Sequence, residues 1–348
     1  MRKQNDLGRD PIRPLVWRIA FPSMLAQFVS VLYSIVDRIY ISNIPVTGET
    51  ALAGVGVCGP VVTMLGAFAF LVGVGGAPLM SINMGAGRED EARRILSNSF
   101  LILCVLVGRT VPVRIGFGRY SLRLVGRILV TGISPFLIIF VDSIMIISMN
   151  AVLQSYGGPE LGDRLITCAT IAQSFMLVVT MPLGGISGGT QTILAFNFGA
   201  HRRDRILEAQ KHITLLCVGY TAIMFALARL AGGLFVRLFT SEADLAAEAL
   251  SAIRVCTLAV IPLGVQYAIV DGFTGMAQVK LALPLSAFRK IVYFAALFAL
   301  PAAFGARAAF WAEPVSDIIG PIASVAVYAI FIRKILTFPA APAHHRDG

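Results

Sequence analysis

Eight apolar runs lie along this chain, all but one of the gaps between them short and polar: 14–42, 52–84, 124–153, 165–198, 212–239, 249–277, 281–306 and 314–332. A hydrocarbon core about 30 Å thick is crossed by roughly 20 helical residues. A backbone in lipid must satisfy its own hydrogen bonds, so such runs form α-helices. Composition agrees: 57% of residues are hydrophobic, mean hydropathy is +0.79, and 14% are charged, against roughly 25% in soluble domains. The sequence therefore predicts an all-α polytopic membrane protein with lipid as its solvent. The net charge of +10 does not point to nucleic acid, because the basic residues fall in short clusters between apolar runs, as in cytoplasmic membrane loops.

The chain also repeats itself. Asn83-Met84-Gly85-Ala86-Gly87-Arg88-Glu89-Asp90 returns 114 residues later as Asn197-Phe198-Gly199-Ala200-His201-Arg202-Arg203-Asp204, and Gly75 matches Gly189 at the same offset. Each copy sits where a long apolar run gives way to charge. The repeat implies two related units that meet water on the same face of the membrane. Asn83, Arg88, Asn197 and Arg202 are expected to cap helices and anchor that face.

Basic residues fix the expected orientation. The N-terminal residues, both repeat loops, Lys280 and Arg333-Lys334 are assigned to the cytoplasm. The loops with Glu49, Glu160, Asp163, Glu242 and Glu313 are assigned outside. Both chain ends then lie in the cytoplasm, and the first run has no cleavage site that would make it a signal peptide. Breaks or kinks are expected at Pro22, at Ser134-Pro135 and at the turn Tyr156-Gly157-Gly158-Pro159.

One stretch disturbs the alternation. Residues 95–108 reach only about 21 Å as a helix and run into Arg109, Arg114, Arg119, Arg123 and Arg127. The basic clusters on both sides belong inside, so this helix enters without crossing or lies at the surface. The expectation is eight full spans and one short helix.

No nucleophile–base pair, metal-ligand spacing or phosphate loop is present, and the five cysteines lie within apolar runs. An enzyme is not indicated, and neither is a cofactor beyond a coupling ion.

Several segments resemble the multidrug and toxic compound extrusion (MATE) transporters. Trp17-Arg18-Ile19-Ala20-Phe21-Pro22 and Ile35-Val36-Asp37-Arg38-Ile39-Tyr40-Ile41 are similar to the family's first helix. The two repeat loops resemble those after its second and eighth helices, and Ile133-Ser134-Pro135-Phe136-Leu137 the start of its seventh. Ala277 to Leu283 and Glu313-Pro314-Val315-Ser316-Asp317 resemble a MepA-like bacterial branch.

The resemblance implies a MATE-type helical bundle of two lobes, with an internal deletion of about helices four to six. Residues 1–108 would be a truncated first lobe with two helices and the stump of a third. Residues 109–123 would be a basic junction, 124–338 a complete six-helix second lobe, and 339–348 a polar tail.

Ionisable residues inside spans mark function by default. Asp37 is the leading candidate, and the resemblance implies a part in proton or cation coupling; alternatively it pairs with a nearby base at the outer interface. Asp142 and Asp271 are each read as binding a cation or a cationic drug, or as bonding between helices. Gln27, Asn150, Gln173, Gln191 and Gln266 are read as cavity-lining or interhelical bonding residues. The expected activity is proton- or sodium-coupled antiport of small organic cations across the inner membrane by alternating access, the two lobes rocking as parallel repeats. Two alternatives stay open: a truncated relative that inserts but transports nothing, and a flippase for lipid-linked substrates. The flippase would need a cavity rich in cationic residues, and the spans hold few. An oligomer is compatible with the sequence but not indicated by it.

Overall fold

The computed structural model of the chain describes residues 5–42, 75–107, 122–240 and 242–337, together with Ile44 and Thr63. Most of the predicted second span, the loop with Glu49, most of the basic junction and the polar tail lie outside the described residues. The elements are α1 (Ile12–Ser42), α2 (75–85), α3 (Glu89–Val107), α4 (Leu122–Gly199), α5 (Arg203–Leu230), α6 (Gly232–Val236), α7 (Ala243–Cys256), α8 (Val260–Gly275), α9 (Val279–Phe304), a 3-10 helix (Ala306–Trp311) and α10 (Ala312–Ile335). No strand occurs among the described residues.

Among the described residues, five helical stretches are long and apolar enough to cross a membrane. One of them, Ile139–Gly199, has 61 residues, which would extend about 90 Å if straight, three times a bilayer core. It is two helices. Gly158 takes φ 69°, ψ −169°, a conformation open essentially to glycine alone. A Cβ on Gly162 would lie 3.1 Å from Gln154 Cα, whereas residues eight apart in an unbroken helix are about 12 Å apart. The chain thus folds back at Gly158, and α4 contributes two antiparallel limbs, 122–157 and 159–199.

The expected break at Ser134-Pro135 is not there. The backbone stays helical from Leu122 until Gly158, since a proline removes one hydrogen bond while lipid penalises any further loss. The expected single span 249–277 is instead two helices, α7 and α8, bent by 46°. Pro262 explains this. In a continuous helix its ring would collide with the Leu258 carbonyl, which it also cannot donate to, whereas the first turn of a new helix accepts it. The stretch around 95–108 belongs to α3, which starts with Glu89, Asp90 and Glu91, acids that favour a helix N-terminus. With Arg93 and Arg94 also in it, α3 is not among the helices apolar enough to cross.

The two copies of the repeat fold alike and touch each other. In both turns the same three backbone bonds close the helix: Ala86 to Ile82, Gly87 to Met84 and Arg88 to Asn83 in the first, and Ala200 to Phe196, His201 to Phe198 and Arg202 to Asn197 in the second. Gly87 and His201 both take positive φ, 72° and 57°. Asn83 and Asn197 do not cap the following helices; each is buried and donates back to the carbonyl four residues earlier, Leu79 or Ile193, at 2.8 Å. The contact between copies is reciprocal. A Cβ at Gly85 would overlap the Phe196 carbonyl, and a Cβ at Gly199 would overlap the Ile82 carbonyl.

The N-terminal segment is tied to this end of the molecule rather than hanging free. Asn197 donates to the Leu7 carbonyl at 3.1 Å, Arg205 to the carbonyls of Leu7 (3.1 Å) and Asp10 (2.7 Å), and Arg202 to that of Gly8.

At the opposite end Glu248 of α7 bridges two arginines, Arg164 of α4 at 2.9 Å and Arg307 of the 3-10 helix at 2.6 Å. Glu242, expected in an outside loop, stands just before α7, and Glu248 inside α7 carries the charge bridge. Helix α1 lies on the second limb of α4 at Gly185 and Gly189, where a Cβ would come within 2.7 Å of the Ser23 carbonyl oxygen and 2.5 Å of the Ser23 hydroxyl. Small residues four apart let helix backbones meet in a membrane.

Candidate functional site

Beside a small cluster of Leu79, Ile95 and Ile128, the apolar interior of the described residues falls into two large clusters. One gathers Met145, Met149, Val179, Met224, Val260, Tyr293 and Leu297; the other gathers Leu183, Cys217, Ala268, Phe273, Leu285 and Ile332. Followed along each helix, the boundary between them is polar. On α5 it is Thr221, on α8 Gln266, on α9 Ser286, Arg289 and Lys290, and on α10 Ser316 and Asp317. Thr221, Gln266, Ser286, Lys290, Ser316 and Asp317 are buried. The bundle around α5, α8, α9 and α10 thus has a polar waist between two oily ends.

Arg289 and Lys290 are consecutive, so their side chains leave α9 about 100° apart. Arg289 turns to α10, where Nη1 donates to Asp317 Oδ1 at 2.9 Å. The Asp317 side chain is fully buried, and its second oxygen, Oδ2, has no hydrogen-bond partner among the described residues. Gly320, one turn on, makes room for the pair: a Cβ there would lie 2.7 Å from Gln266 Oε1 and 2.9 Å from Arg289 Cγ. Lys290 turns instead to the first limb of α4, where its ammonium forms an ion pair with Asp142 but donates no hydrogen bond among the described residues. The Lys290 side chain is 6% exposed and that of Asp142 45%, so the carboxylate is open where the ammonium is not.

A second group lies on α8. Asp271 accepts a hydrogen bond from the Ser187 hydroxyl at 2.5 Å, with Gln191 beside it. Tyr267, one turn earlier, stands within electrostatic reach of Asp271, Arg289 and Asp317 and links the two groups. Asp142 and Asp317 each face a cation. Asp271 faces neutral donors, and among the described residues it forms no ion pair.

The remaining candidates are more scattered. Asp37 is exposed on α1, beyond buried Val31 and Ile35, and among the described residues nothing joins it to another candidate. Gln27, Asn150 and Gln173 are half-buried, on α1 and on the two limbs of α4. The structure therefore unites Asp271 with Gln191 and gives Asp142 a partner. Sequence reasoning passed over Arg289 and Lys290, although two adjacent cations within a 26-residue apolar helix were the available signal.

Two stretches of the chain, 22–157 and 139–298, match the MatE family model, offset by nearly the spacing of the repeated octapeptides. The chain belongs to the MatE family. No curated protein matches it. The fold is shared with solved MATE structures. A MATE multidrug transporter, DinF-BH, solved as a complex, superposes with a TM-score of 0.81 at 20% identity, covering 97% of this chain and 100% of that one. An outward-facing multidrug resistance MATE transporter of the MOP superfamily gives 0.79 at 15% identity, with coverage of 97% and 100%. A MOP superfamily transporter from Pyrococcus furiosus, described as having a binding pocket of reverse polarity, gives 0.82 at 16% identity, again with coverage of 97% and 100%. The MATE assignment makes this chain a polytopic membrane transporter.

Proposed function

We propose that the protein is an antiporter that exports small organic cations across the inner membrane by alternating access, driven by a proton or sodium gradient. The observation that carries this is the contrast among the carboxylates of the second lobe. Asp142 and Asp317 already have basic partners, whereas Asp271 is held by Ser187 and Gln191 alone. A carboxylate inside a membrane bundle costs several kcal/mol unless something neutralises it, so Asp271 is the place for a proton or a sodium ion to bind.

Asp37 is assigned the coupling role in the first lobe, where its exposure leaves it accessible to an ion. Gln27, Asn150, Gln173 and Gln191 supply polar contacts along the substrate path, with Asp142 as the acceptor for the cation. The repeat loops and both termini face the cytoplasm, on the count of basic residues. The first lobe is shortened, with 1–108 joined through 109–123 to the second lobe 124–338.

The test is efflux of ethidium from proteoliposomes under an imposed proton or sodium gradient. Wild type is expected to couple to one of the two, and Asp271→Asn to lose at least tenfold of the coupled rate while remaining folded. Wild-type efflux indifferent to both gradients rules the coupling out. Well-inserted wild type that moves nothing favours the non-transporting relative. The flippase has less support, because both waist cations are neutralised by aspartates instead of offering free charge to a phosphate.

A further inference from the structure

Lys290 occupies a position unlike the other cations of the bundle. It lies buried at the waist, its ammonium against a carboxylate that is nearly half exposed. Two further acids, Glu313 and Asp317 of α10, lie within its electrostatic reach. Asp317 Oδ2 is buried and accepts no hydrogen bond among the described residues, because Arg289 uses only Oδ1. The lysine stem, four flexible carbons long, therefore has two acidic destinations: half-exposed Asp142 on α4, and buried Asp317 with half-buried Glu313 on α10.

The charge count gives the second destination a purpose. Asp142, Glu313 and Asp317 against Arg289 and Lys290 leave the cluster one negative charge in excess when all are ionised. One added monovalent cation neutralises it. The apolar core next to Asp142 suits a large, soft cation that enters where the carboxylate is open: buried Met145 and Met149 follow it on the same face of α4, and buried Tyr293 and Leu297 follow Lys290 on α9. Methionine adapts to irregular shapes, and an aromatic face attracts a cation.

We propose that Lys290 is a built-in competitor for the substrate. Its ammonium holds Asp142 when no cation is bound, and a monovalent organic cation binds by displacing it towards Asp317 and Glu313. This rests on the cation-export reading above and adds the residue that sets its affinity. A tethered ammonium competes at a millimolar effective concentration or above, so an incoming cation binds more weakly than Asp142 alone would allow. Weak binding of this kind lets a substrate leave as well as enter. A substrate able to dislodge the lysine needs both a positive charge and enough apolar surface to be held beside the methionines.

Titration of the purified full-length protein in detergent with tetraphenylphosphonium, followed by calorimetry, tests the proposal. Lys290→Met removes the competitor and is expected to bind at least tenfold more tightly than wild type. Lys290→Arg, whose planar fork holds a carboxylate through two bonds, is expected to bind more weakly. Adding Asp142→Asn to Lys290→Met is expected to abolish the gain. Wild-type affinity in both lysine variants overturns the proposal and leaves the cation-export reading standing. No binding by any of these proteins overturns both. If Lys290→Met fails to fold, as read by thermal unfolding, Lys290→Arg decides alone: affinity equal to wild type overturns the proposal.

Discussion

At the scale of single residues, glycines and buried charges carry the sharpest expectations. Gly85 and Gly199 are required for lack of space, since any Cβ would collide with the opposing backbone carbonyl. Gly85→Ala and Gly199→Ala should each destabilise by about 1–3 kcal/mol, the usual cost of overpacking. Gly126→Ala, with nothing within 4 Å of the added carbon, should be neutral or slightly stabilising, because alanine is the better helix former. Thermal unfolding in detergent separates the two outcomes. Asp317→Asn should cost about 3–5 kcal/mol by leaving the Arg289 guanidinium buried without its counter-ion. Arg307→Ala should cost under about 1 kcal/mol, since that arginine is largely exposed. Which charges pair was not legible in the sequence. Asp142 stood out as a carboxylate in a span, but its partner lies on a helix far along the chain, and nothing local says that Lys290 faces it rather than Asp271.

At the scale of elements, the spans were legible because lipid leaves an apolar run of 20 or more residues few options. Their interruptions were less so. Pro135 and Pro262 look equivalent in sequence, yet α4 runs through the first while α7 and α8 part just before the second. Nothing in the local sequence of the two prolines explains the difference. The reversal at Gly158 was legible, because two glycines and a proline cannot continue a helix. Its necessity is conformational and not spatial: nothing lies within 4 Å of an added Cβ, but φ is 69°. Gly158→Ala should therefore destabilise by about 1–3 kcal/mol without any clash, and circular dichroism melts should show it. The α8–α9 turn has the same three-bond pattern as the two repeat turns, ending at Ala277 with φ 55°. Ala277→Gly should relieve about 1 kcal/mol of that strain, seen as a higher unfolding temperature.

At the scale of the whole molecule, the doubled octapeptide was the most informative text in the chain, because it shows the internal repeat directly. Single cysteines placed at Gly87 and His201 should be labelled by an impermeant reagent from the same side of the membrane. Sequencing the gene again across codons 104–122 should show whether further helices belong at the junction, where the apolar pattern stops short.

The mutual contact of Gly85 with Phe196 and Gly199 with Ile82 sets a mechanical limit on any motion of the two halves. Backbone rests on backbone at one end of the bundle, with no side chains between to yield or to re-form elsewhere. Sliding is blocked there, while rolling is not. With the fulcrum at one face of a bilayer about 30 Å thick, a tilt of about 10° moves the far rim by roughly 5 Å, about the width of a flat aromatic ion. Under the alternating access proposed above, a joint made of two missing methyl groups would convert a small rotation into a doorway on the opposite face.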